Sequence, residues 1–178
     1  MSAPAESAAK LGDGPAGIPQ PVLVRGTGLL GSSIGIGLSA AGVDVRLHDP
    51  SPAALAVAAD IRAGRPARLD AEGDDLDVAP GLVVVAAPPD VTADVVVDSL
   101  RRGPASVVVD IASVKEAVAA GVRAAVDDGR LAPQDADRYL GTHPMAGSER
   151  SGPVAARGTL FTQAPWVLCP TDTTHPGA

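Results

Sequence analysis

Two stretches of this chain show no alternation between apolar and polar residues: Gly81-Leu82-Val83-Val84-Val85-Ala86 and Val107-Val108-Val109. A strand with one face in water alternates, because successive side chains point to opposite faces; a strand apolar at every position must be covered on both. These runs therefore belong at the centre of a parallel sheet with helices above and below. Further strand-like runs lie at Val22–Arg25, Val43–His48, Tyr139–Thr142 and Trp166–Leu168, with a weak one at Ala67–Leu69, and the central runs extend as Leu82–Ala86 and Val107–Ile111. Between them, Leu30–Ala41, Pro52–Ala63, Val91–Arg101 and Lys115–Asp127 read as helices. Strands alternating with helices predict an α/β fold with a doubly wound, mostly parallel sheet.

At 178 residues the chain suits one domain with a real core. Aromatic residues make up only 2% of it, so Val, Ile, Leu and Ala must fill that core, with Tyr139, Phe161 and Trp166 as isolated large pieces. Stacking platforms for single-stranded nucleic acid are excluded. Lys+Arg 14 against Asp+Glu 21 leaves a net charge of −7, which repels phosphate backbones and anionic lipid. No nucleic-acid or membrane partner is expected. Cys169 is the single cysteine, so no intrachain disulfide and no cysteine-based metal site is expected, and a cytoplasmic location fits. Residues 1–20 lack periodicity and read as a disordered tail, 21–170 as the folded domain with an acidic surface loop at Asp70–Pro80, and 171–178 as a polar tail.

Gly26-Thr27-Gly28-Leu29-Leu30-Gly31 is a G-x-G-x-x-G that follows one predicted strand and opens a helix. The first glycine permits a tight turn, the second lets a pyrophosphate approach the backbone, and the third lets helix and strand pack closely. The next strand ends on Asp49, eighteen residues beyond Gly31, where an acid meets the hydroxyls of an adenosine ribose. The alternative is a helix cap, since Asp49-Pro50-Ser51-Pro52 precedes a helix. Together these features predict a Rossmann-type dinucleotide site. A carboxylate at this place repels a 2′-phosphate, so NAD is favoured; NADP is not excluded, because Arg65 or Arg68 is near enough in sequence to change the balance.

Ligands of open α/β sheets bind at the carboxyl ends of the strands. Those ends carry the glycine loop, Asp49, Ala87-Pro88, Asp110-Ile111-Ala112-Ser113-Val114-Lys115 and His143. Ala87 and Pro88 offer small, backbone-rich contact to a cofactor, or simply a proline stop. Ser113 reads as a substrate hydrogen-bonding group or as an N-cap. Lys115 opposes the helix macrodipole and reads as a surface amine, and Asp110 as its partner or as an anchor for loop N–H groups. His143 stands at a strand end before a proline that keeps it extended. Oxidising a carbon that bears a hydroxyl requires an acceptor for the O–H proton, and imidazole suits that at neutral pH. His143 is the candidate. His48 and His175 lack such a setting, Cys169 reads as a small buried hydrophobe, and Ser148-Glu149 is either a substrate contact or a solvated loop.

The glycine loop extended to Gly35, the Asp110–Lys115 segment and, above all, His143-Pro144-Met145-Ala146-Gly147-Ser148-Glu149-Arg150-Ser151-Gly152 resemble prephenate dehydrogenases. The likeness runs over about 21–170 and includes Leu160-Phe161 and Trp166-Val167-Leu168-Cys169-Pro170. It implies oxidative decarboxylation of prephenate to 4-hydroxyphenylpyruvate in tyrosine biosynthesis, with hydride passing to NAD. It also implies His143 on the substrate hydroxyl, Ser113 supporting it, and Ser148 and Glu149 on the substrate side. Arogenate dehydrogenase and a non-catalytic nucleotide-binding module are the alternatives. Family members continue into a helical domain that makes the dimer and supplies an arginine for the substrate carboxylate. This sequence stops before it, which reads as a fragment, and no residue present takes that arginine's role.

Overall fold

The computed structural model describes residues 17–70, 73–147, 151–171 and 174. In chain order the elements are β1 (Val22–Arg25), α1 (Leu29–Ala40), β2 (Val45–His48), α2 (Pro52–Asp60), β3 (Arg65–Pro66), β4 (Leu69–Asp70), β5 (Gly73–Asp74), β6 (Leu82–Val85), α3 (Thr92–Arg102), β7 (Val107–Asp110), α4 (Lys115–Asp127), the short α5 (Pro133–Ala136), β8 (Tyr139–Pro144), a 3-10 turn at Pro153–Ala155 and β9 (Trp166–Cys169). Seven strands form one sheet in the order β3-β2-β1-β6-β7-β8-β9. All pairings in it are parallel except β8 with β9. This is the Rossmann-type, doubly wound α/β sheet that the alternation predicts.

Both faces of the central strands are covered, which explains the uninterrupted apolar runs, while the edge strand β9 stays exposed. Leu23, Val83, Val85 and Val108 join α3 and α4 residues such as Val96, Leu100, Val118 and Val122 in one cluster. Val22, Val24, Val84 and Leu47 join Ile34 and Ala58 in the other. Adjacent residues of β1 and β6 thus serve opposite layers, and burying each such side chain is worth about 1.5–3 kcal/mol.

Three expectations change. The weak strand falls at Arg65–Pro66, beside β2, because Gly64 at φ +155° turns the chain against Val45 and Leu47; Leu69–Asp70 instead pairs antiparallel with Gly73–Asp74 inside the expected loop. Gln20, read as tail, accepts from the Asp44 N–H at 2.8 Å and so belongs to the sheet's margin. Of the three large aromatics only Tyr139 is buried; Trp166 is 40% exposed and leans on Phe161, ring centres 5.3 Å apart.

Candidate active site

The turn after β1 requires its first glycine. Gly26 has φ +105°, and a Cβ there would meet the Ala86 carbonyl. Its N–H donates to the His48 carbonyl at 2.8 Å, which ties the loop to the end of β2. Gly28 takes the N-cap position of α1, is exposed and supplies no side-chain cap, so the amides of the first turn are left for an anion. Gly31 does not line the cleft with the other loop residues. A Cβ on it would collide with the Gly26 carbonyl and the Ala86 side chain, so this glycine sets helix-to-strand packing.

Asp49 closes the other side of the loop. Its Oδ2 accepts from Thr27 N–H at 2.7 Å and Thr27 Oγ1 at 2.9 Å, and its Oδ1 from Ser51 N–H at 2.8 Å. The cap of α2 is Ser51, whose Oγ accepts from Ala54 N–H at 3.3 Å, and not Asp49. Three of about four acceptor positions on the Asp49 carboxylate are filled, which leaves one for a ribose hydroxyl. Arg65 does not reach this place: it binds Asp44 at 2.9 Å, at the opposite end of β2.

A cleft of about 820 Å³ runs along these strand ends. Gly26, Thr27, Gly28, Leu29, Leu30, Asp49, Ala87, Pro88, Ser113 and His143, all singled out from the sequence, line it together. The Ala87 and Pro88 carbonyls are both held by Thr92 Oγ1, at 3.1 and 2.8 Å. His143 Nδ1 lies 3.5 Å from the Ile111 carbonyl, the outer limit of a hydrogen bond; since a carbonyl only accepts, the Nδ1–H tautomer makes that contact and carries its lone pair on Nε2. Ser113 is exposed and does not cap α4, because Val114 occupies the N-cap position. Lys115 is not a surface amine: it reaches inward to the Asp110 carboxylate and the Thr142 carbonyl. Ser148 and Glu149 lie outside the described residues.

Two cleft residues escape a local reading. Arg25 is 9% exposed, and its Nη1 donates to Asp98 Oδ2 and Ser99 Oγ, both at 2.7 Å, while its buried Nε has no partner among the described residues. Burial pulls the guanidinium below its ordinary value against the pull of Asp98. Burial raises the Asp98 carboxyl, but Arg25 and Arg102 outweigh it and hold the group below the usual range. His48, half-buried with Nδ1 3.4 Å from the Ala67 carbonyl, is pushed down by burial and by the charge of Arg25. No group of metal-ligating side chains occurs among the described residues, and no helix among them is long and apolar enough to cross a membrane.

The family profile described as prephenate dehydrogenase, nucleotide-binding domain, matches residues 36–178. The chain belongs to the prephenate dehydrogenase family. A Streptomyces niveus protein named "Probable prephenate dehydrogenase NovF" is 38% identical over 148 residues, which is 83% of this chain and 37% of that protein. Among solved structures, Synechocystis arogenate dehydrogenase is 25% identical with a TM-score of 0.70, over 88% of this chain and 52% of that one. The Aquifex aeolicus prephenate dehydrogenase, solved with hydroxyphenyl propionate and NAD+, is 23% identical with a TM-score of 0.71 over the same shares, 88% and 52%, and supports the fold. This prephenate dehydrogenase family chain therefore spans about half the length of those structures or less.

Proposed function

We propose that this chain is the nucleotide-binding part of an NAD-dependent dehydrogenase that oxidatively decarboxylates prephenate to 4-hydroxyphenylpyruvate, a step of tyrosine biosynthesis. The observation that carries the reading is that His143 and Ser113 line the same cleft as the uncapped start of α1 and Asp49. The cradle suits a dinucleotide: Gly26 and Gly28 keep the backbone open, the first-turn amides of α1 offer donors to a pyrophosphate, and Asp49 has an acceptor position left for a ribose hydroxyl. NAD supplies the hydride acceptor.

The chain's own part is binding and proton handling. His143 takes the proton of the ring hydroxyl as that carbon gives up its hydride. When the bond to the carboxylate breaks and its electron pair enters the ring, carbon dioxide leaves and the proton returns to the oxygen. Ser113 holds the hydroxyl in line with the imidazole, and Ser148 and Glu149 take the substrate side. Asp49 disfavours a 2′-phosphate, so NAD is preferred over NADP. By resemblance to the family, substrate carboxylate recognition and dimerisation are assigned to a further helical domain of the whole protein.

The test is the rise in absorbance at 340 nm when the chain meets prephenate and NAD, with arogenate and NADP in parallel, alone and joined to the helical half of a relative. His143→Asn is expected to abolish turnover and leave NAD affinity intact. Unchanged turnover would remove His143 from the chemistry. A rise with arogenate alone would move the substrate assignment to the reaction named for the Synechocystis structure.

A further inference from the structure

A buried ion pair lies between the two loops that carry the proposed chemistry, and the proton handling above leaves it unused. Asp110, the last residue of β7, is fully buried. Its carboxylate accepts from Lys115 Nζ, from the Tyr139 hydroxyl at 2.8 Å and from the Ala112 N–H at 2.8 Å. Lys115, in the first turn of α4, donates also to the Thr142 carbonyl at 2.5 Å, and Thr142 Oγ1 donates to the Asp110 carbonyl at 2.7 Å. Ala112 precedes Ser113, and Thr142 precedes His143.

Stability alone does not account for this arrangement. An ammonium in the first helical turn opposes the macrodipole, and well-packed apolar side chains serve as well as or better than a buried ion pair for holding a fold together. What the pair adds is geometry. The parallel ladder between β7 and β8 ends at Asp110 opposite Gly141; beyond it the chains carry Ser113 and His143 into the cleft, and Lys115 spans the gap. Neither Asp110 nor Lys115 lines that cleft.

We propose that Asp110 and Lys115 form a positioning unit that sets Ser113 against His143, so that losing it lowers turnover without loosening the cofactor. The proposal rests on the reading of His143 and Ser113 given above. Lys115→Met strands a buried carboxylate and risks the fold, so the test compares it with the uncharged double variant Asp110→Asn/Lys115→Met. Arg138→Met is the control at the other end of β8, where Arg138 holds the Gly103, Ser106 and Leu100 carbonyls at 2.6 to 2.8 Å.

Four quantities are read: the thermal midpoint, the NAD Kd by calorimetry, kcat with prephenate once the chain is joined to the helical half of a relative, and the His143 ring resonances of the chain by NMR, which three histidines make assignable. The double variant is expected to fold, to hold NAD within about twofold, to lose about 100-fold in kcat and to shift the His143 ring signals while those of His48 stay. Arg138→Met is expected to lower the midpoint and move neither kcat nor His143. Turnover and ring signals unchanged in the double variant would overturn the proposal. Absence of turnover in the unsubstituted chain joined to the helical half of a relative would count against the functional reading instead, and the ring signals would still decide the positioning: unmoved, they overturn it.

Discussion

Asp49 and Asp110 each stand at the carboxyl end of a strand in the same sheet, and each carboxylate accepts three hydrogen bonds, from backbone N–H and side-chain donors together. The count is equal; the surroundings are not. Asp49 is partly exposed, lines the cleft and has no ion pair among the described residues, so its charge faces whatever the cleft holds. Asp110 is fully buried and its charge is met by Lys115. One residue type at two strand ends of the same sheet thus faces the cleft in one place and the interior scaffold in the other. What separates the two is access and compensation, not hydrogen-bond number.

Breaking the buried side gives the largest effect. Asp110→Leu leaves the Lys115 ammonium without a counter-charge and orphans the Tyr139 hydroxyl and the Ala112 N–H. Removing one partner of a buried pair costs about 3–5 kcal/mol, much of the roughly 5–15 kcal/mol that holds a domain together. Urea unfolding is expected to show that loss, with part of it recovered in Asp110→Leu/Lys115→Met, where no charge is stranded. A double variant no more stable than the single one would mean that Lys115 finds solvent and that the pair is not closed.

Removing the charge on the exposed side behaves differently. Asp49→Asn keeps the shape but lowers the strength of the bonds from Thr27 and Ser51, for about 1–2 kcal/mol of stability. Its main effect falls on the ligand: NAD binding is expected to weaken about tenfold, as one charge-assisted bond is lost, while NADP weakens less because the repulsion of its 2′-phosphate is gone. Calorimetry with both nucleotides checks this. Equal losses for the two would show that the Asp49 charge does not discriminate between them.

The fold was legible where residues served both layers at once: Val83, Val84 and Val85 left no choice but a covered strand. Cleft-lining positions were legible where local chemistry is distinctive, at Gly26, Asp49 and His143. What escaped depends on partners distant in sequence. Arg25 ends an apolar strand, and nothing nearby shows that Asp98, 73 residues on, receives it. For Lys115 the partner Asp110, five residues before it, was legible, but the amine's full inward reach also depends on Thr142, 27 residues away. The short β3 shifted for a related reason: the apolar pattern favoured Ala67, but Gly64 sets where the backbone meets β2.

His48 sharpens the comparison with the smallest effect. It precedes Asp49 and shares the cleft, and burial and Arg25 depress its imidazole while the Ala67 carbonyl and Asp49 partly offset them. In the unfolded chain it titrates near 6.5. Between that value and the lower folded one the unfolded state binds more protons, so stability is present above 6.5, falls as pH drops through the window and levels off below the folded value. His48→Gln is expected to flatten that slope in urea midpoints measured between pH 7 and 5, a range above that in which Asp98 titrates. Asp49→Asn removes a charge that favours the protonated ring, so it is expected to widen the same window and steepen the loss. Substituting Asp110, whose charge is already met by Lys115, is expected to leave the window where it was, provided the variant still folds. An Asp49→Asn variant with an unchanged slope would mean that solvent screens Asp49 even from its neighbour, and the contrast between an exposed, acting charge and a buried, cancelled one would lose its electrostatic half.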